Sequence, residues 1–134
     1  TAMTIPPLLE DYALSICSAN FNEDIHKLTA VDRGHSYMYH PTWEVPLFSI
    51  GNTFGHAERA YLMIPRPFMV ERGHHDGVGM DRWVAAEYAK VRRLYTQLGI
   101  ADRTEIQFFN GGHTILADRT FLFLHRHLSW PEPE

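Results

Sequence analysis

The sequence has 134 residues, 45% of them hydrophobic and 21% charged, with a formal net charge of −4. A chain of this size can bury a core of its own and is read as one domain, residues 1–134. No basic run is longer than the pair Arg92 and Arg93, which excludes the broad cationic face of a nucleic-acid binder; the single cysteine, Cys17, excludes an internal disulfide and a one-chain thiolate zinc site.

The chain opens with "TAMTIPPLLEDYALSICSA", which lacks the basic start and cleavage pattern of a signal peptide. It also starts without a methionine, so localisation stays open. No apolar stretch reaches the ~18 residues of a membrane span, and no membrane partner is expected. "YALSICSA" (12–19) predicts a short, mostly buried strand. Residues 20–53 form a long connection rich in aromatics, among them Tyr37, Tyr39 and Trp43. Insertions of that length commonly form lids or specificity walls, although any single ring could equally belong to a satellite cluster covering the sheet. "FGHAERAYLMI" (54–64) predicts a helix stopped by Pro65, and "RPFMVERG" (66–73) a second strand.

In "DRWVAAEYAKVRRLYTQLG" (81–99), Val84, Tyr88, Val91, Tyr95 and Leu98 recur at spacings of 4, 3, 4 and 3, which lines one face of a helix. Asp81 is expected to cap its start and Gly99 to end it. "RTEIQFFN" (103–110) predicts a third strand, and "DRTFLFLHRHL" (118–128) a last helix. Strands alternating with helices imply an α/β fold with a parallel sheet, right-handed crossovers and covering helices.

Open parallel sheets carry their functional groups on loops at the carboxyl ends of the strands. Two loops qualify: "GHHDGVG" with Asp76 after the second strand, and "NGGHTIL" with His113 after the third. If those strands are neighbours, the acid and the imidazole can meet. Asp76 has an alternative use as a turn residue beside glycine. His113 can be a partly buried histidine satisfied by backbone, but Gly111 and Gly112 suggest a tightly turning backbone that presents the ring.

His74, His75, Asp76 and His113 could instead bind a metal. Adjacent residues point apart, however, and no helical i, i+4 histidine pair exists, so no metal and no cofactor is expected. His125 and His127 lie two apart on the last helix, on different faces. A hydrolytic Asp-His pair needs a nucleophile, and no G-x-S-x-G elbow occurs in the chain. Cys17 and Ser18, at the end of the first strand, are the substitutes on offer, with Cys17 alternatively a small buried apolar residue.

"CSANFNE", "GNTFGHAERAYLMIPRPFMVERGHHDGVGMDRWVAAEYAKVRRLY" and "DRTEIQFFNGGHTI" together resemble the C-terminal half of an α/β-hydrolase, closest to bacterial esterases of the acetyl xylan esterase and dienelactone hydrolase type. The resemblance covers nearly the whole chain. In that family the order is nucleophile, acid, histidine, and by position Asp76 matches the acid and His113 the histidine. The family's nucleophile would precede a segment like "TAMTIPPLLEDY", and its oxyanion-hole donors would lie there and earlier still.

The resemblance therefore implies a partial α/β-hydrolase domain over residues 1–134, with about three parallel strands and residues 20–53 as a lid-like connection. The parent is expected to be a serine hydrolase cleaving carboxylic esters, including acyl esters on carbohydrate, with Tyr37, Tyr39 and Trp43 touching the substrate. Its partners would be that small-molecule or carbohydrate ester and the missing N-terminal half. The chain alone is expected to be inactive. The alternative is a non-catalytic α/β module that binds a partner. The roles of His74 and His75 stay open, support of Asp76 being one reading.

Overall fold

The computed structural model describes residues 2–31, 34–39 and 47–129. Three strands form one parallel sheet in the order β1 (Ser15–Ser18), β2 (Phe68–Gly73), β3 (Thr104–Phe109). The register pairs Ser15 with Phe68 and Phe68 with Thr104. All six residues of the central strand are buried, as a strand covered on both faces requires. The helices that cover it are α2 (His56–Tyr61), α3 (Asp81–Gln97) and α4 (Asp118–Leu128), with a short α1 (Asp24–Thr29) inside the first connection. Among the described residues no helix is long and apolar enough to cross a membrane.

The period-2 alternation of side chains divides the sheet. Cys17, Phe68 and Val70 join Ala57, Val84, Tyr88, Val91 and Tyr95 in the main core, so α2 and α3 lie on that face. A large apolar side chain fully buried there, such as Phe68 or Val84, contributes about 1.5–3 kcal/mol. Glu71 faces the other side, where its carboxylate accepts hydrogen bonds from Ser18 Oγ (2.6 Å), from the Ala117 amide (3.1 Å) at the start of α4, and from Thr120 Oγ1. Ala117, the N-cap, has no side-chain oxygen; Glu71 takes its amide, as the carboxylate of a capping box does, and Gln107 Oε1 of β3 accepts the Arg119 amide at 3.3 Å.

The predicted stripe of α3 holds through Val84, Tyr88, Val91 and Tyr95, all buried, and Tyr95 also donates its hydroxyl to the Arg66 carbonyl at 2.8 Å. It stops there: Leu98 is 52% exposed, because it occupies the C-cap, where the backbone has left helical angles. Gly99, at φ +72, ends the helix as expected. The cap assigned to Asp81 is corrected. Met80 is the N-cap and no side chain caps α3; Asp81 instead binds Arg72 and His74. Helix α2 is shorter than predicted, with turns over 62–65, and its bare start at Gly55 is served by Glu87 of α3, which accepts the Ala57 amide at 2.6 Å.

Candidate active site

The carboxyl ends of β2 and β3 continue to pair beyond the strands, through His74 N to Phe109 O and His75 N to Gly111 O, both 2.9 Å. This extension locks the loop carrying Asp76 against the loop carrying His113. Gly73 permits it: a Cβ there would stand 2.4 Å from the Gly112 carbonyl oxygen and 2.5 Å from that of Gly111. The glycines flanking His113 were expected to supply a tight turn, but neither has positive φ. Their carbonyls are what crosses so close to Gly73.

The two loops bring Asp76 and His113 together. His113 Nδ1 lies 3.1 Å from both carboxylate oxygens of Asp76. The carboxylate side chain is 1% exposed, whereas the imidazole is 65% exposed. Asp76 Oδ1 also accepts the Val78 amide at 2.8 Å, an Asx-type turn. Among the described residues no other side chain hydrogen-bonds the His113 ring. In the neutral ring, donation of Nδ1–H to the carboxylate would leave the lone pair on Nε2.

Several cationic or donor groups surround this turn. Arg72, buried at the end of β2, donates to the carbonyls of Asp76 (3.0 Å) and Gly79 and to Asp81 Oδ1 (3.0 Å). Lys27 of α1 reaches across to the Val78 carbonyl, donates to the His35 carbonyl at 2.6 Å, and lies 4.4 Å above the Tyr37 ring. Burial pulls Lys27 below the ordinary lysine range, against the opposing charge of Asp76. His35 Nδ1 stands 2.9 Å from the Gly77 carbonyl. Asp81 is pushed up by burial, but hydrogen bonds from His74 and Arg72 outweigh this and hold it below the usual carboxylate range.

Neither His74 nor His75 supports Asp76 directly. His74 binds Asp81 and stacks on Phe108, and His75 Nε2 pairs with Asn110 Oδ1 at 2.9 Å. Among the described residues no three His, Cys, Asp or Glu side chains are grouped to hold a metal ion. Neither substitute nucleophile is placed for attack, and Cys17 is the small buried residue of the alternative reading. Ser18 Oγ is committed to Glu71 at 2.6 Å, and burial pushes the Cys17 thiol up to about 12, far from the reactive thiolate.

Beside β1 lies a cavity of about 500 Å³, lined by Ser18 and Asn20 at that strand's end, Ile115 beyond His113, Tyr37 from the connection, and His56 and Arg59 of α2. Its polar floor is a buried cluster in which Asp24 binds Arg59 and His56 Nδ1, the latter at 3.1 Å. Burial raises the Asp24 pKa, yet hydrogen bonds and charge from His56 and Arg59 leave it below the usual range. Of the three aromatics expected at a substrate, Tyr37 lines this cavity, Tyr39 is half-exposed outside its lining, and Trp43 lies outside the described residues.

No protein-family model matches the chain, and no curated protein does. Solved structures do. A carbohydrate esterase family 15 glucuronoyl esterase from Caldicellulosiruptor kristjansonii aligns with 98% of this chain and 41% of its own, at a TM-score of 0.66 and 20% identity. An esterase from Pyrococcus furiosus aligns with 95% of this chain and 49% of its own, at a TM-score of 0.61 and 15% identity. The chain thus spans less than half the length of either. At these identities the likeness is one of fold: the three-stranded parallel sheet with its flanking helices is consistent with half of an α/β-hydrolase fold.

Proposed function

We propose that this chain supplies the acid and the histidine of a Ser-Asp-His triad in a hydrolase of carboxylic esters. The reading rests on one observation: a buried Asp76 carboxylate holding Nδ1 of an exposed His113 at 3.1 Å on both oxygens. In this role His113 Nε2 takes the proton of a serine hydroxyl as it attacks the ester carbonyl. It then returns that proton to the leaving alcohol, and activates water to release the acyl group. Asp76 fixes the tautomer and stabilises the imidazolium. The serine and the oxyanion donors come from polypeptide outside these 134 residues, in keeping with the greater length of the two esterases of like fold.

The substrate class that fits is an acyl ester on carbohydrate. Tyr37 in the cavity wall would offer a flat apolar face and a polar tip to a sugar ring.

The test uses the polypeptide encoded by the whole reading frame that contains this sequence, assayed on an aryl acetate and on acetylated xylo-oligosaccharides. Turnover is expected, with an in-frame G-x-S-x-G preceding residue 1. His113→Ala and Asp76→Asn should each lower kcat by about 10⁴-fold. Near-normal turnover in His113→Ala overturns the reading. A reading frame without a nucleophile elbow and without turnover would favour a binding module instead.

A further inference from the structure

Arg72 lies next to last in the central strand, with its side chain 1% exposed. A guanidinium does not give up its proton, so at such a site its charge must be met by acceptors or it costs the fold several kcal/mol. The acceptors it meets belong to the segment that carries Asp76. Nη2 donates to the Asp76 carbonyl at 3.0 Å and to the Gly79 carbonyl, and Nε donates to Asp81 Oδ1 at 3.0 Å. Nη1 stands 3.7 Å from Asp76 Oδ2 and makes no hydrogen bond among the described residues.

We propose that Arg72 is the positioning residue of the Asp76–His113 pair. Bound to both ends of the turn from 76 to 79 and to the first residue of α3, the rigid fork fixes where the carboxylate stands. It also holds Nη1, which carries part of the delocalised positive charge, 3.7 Å from Oδ2, the oxygen that shares His113 Nδ1 with Oδ1. Lysine could not replace it, because a single ammonium has no planar set of donors to span these acceptors at once. The proposal rests on the catalytic reading of the pair. It goes beyond that reading by assigning the carboxylate's aim to a residue that touches no substrate.

The test is the tautomer of His113, read from two-bond ¹H–¹⁵N correlations in the chain labelled at its nine histidines, with His113→Gln assigning the signal. The pH is set about two units above the ordinary histidine value. In the unmodified chain the expected result is protonation at Nδ1. Arg72→Met should move most of the ring population to the Nε2–H form, and Arg72→Lys a smaller part. A role confined to stability would lower the unfolding midpoint and leave the tautomer alone. If Arg72→Met does not fold, Arg72→Lys carries the test, and an unchanged tautomer in either folded variant overturns the proposal. Asp76→Ala separates the failures. If it leaves Nδ1–H in place, the pair itself has failed; if it abolishes that form and the Arg72 variants do not, only Arg72 has lost its role.

Discussion

Asp76 performs two tasks with one carboxylate: Oδ1 accepts the Val78 amide, which shapes the turn, and both oxygens face His113 Nδ1. The turn reading and the relay reading were rivals in the sequence, yet a carboxylate has about four acceptor sites and can satisfy both. Cys17 illustrates the opposite case, a reactive group made inert by its surroundings. With its thiol pushed up to about 12 by burial, the folded chain should react with an aromatic disulfide reagent at pH 8 only as fast as it opens. In denaturant its one thiol should react at once. Rapid labelling of the folded chain would show that Cys17 is accessible and restore it as a candidate nucleophile. The pair of strand-end residues was legible because a parallel sheet dictates where its loops gather. Arg72 was not, although "ERG" places two charges inside the second predicted strand, which the fold buries throughout, and buried charges demand partners. That demand is a local signal. Which distant loop answers it depends on the tertiary fold.

At the scale of elements, legibility followed periodicity. Helix α3 was readable because its apolar residues repeat at helical spacing. Helix α1 was missed because its inward residues are Asp24 and Lys27, buried by pairing with Arg59 and with backbone carbonyls rather than by hydrophobicity. The junction of β2 with the His113 loop was hidden as well, since it depends on what Gly73 lacks. Gly73→Ala places a Cβ within 2.5 Å of two carbonyl oxygens, and neither is a flexible side-chain end that could swing away. The strand end and the His113 loop must separate, at a cost of about 1–3 kcal/mol. The denaturant midpoint should fall with an unchanged m-value, and the His113 tautomer should lose its dependence on Asp76. An unaltered midpoint would mean that the two loops are not in contact as described.

At the scale of the molecule, the sheet is open. Among the described residues β1 pairs only with β2, so one side of Ser15–Ser18 carries unpaired backbone groups. A free strand edge is a template for another chain unless charge, proline or a bulge blunts it, and the β1 sequence, Ser-Ile-Cys-Ser, has none of these. A second sticky surface lies on α4, where Phe121 is 57% and Leu122 61% exposed, near Ile115 and Leu116. The aligned part is only 41% of one esterase of like fold and 49% of the other, so both have further polypeptide with which to cover such an edge. The isolated chain should therefore self-associate, with sedimentation velocity showing mass that rises with concentration. Edge pairing and the α4 face make different demands. Phe121→Glu with Leu122→Glu should leave association largely intact if the β1 edge drives it, because backbone pairing does not use those side chains. Loss of association in that double variant would assign it to α4, and a strictly monomeric parent chain would mean that the edge is covered. The same edge is where a strand bearing the serine would have to dock to bring a hydroxyl to His113 Nε2. Addition of the polypeptide that restores turnover should therefore also abolish association.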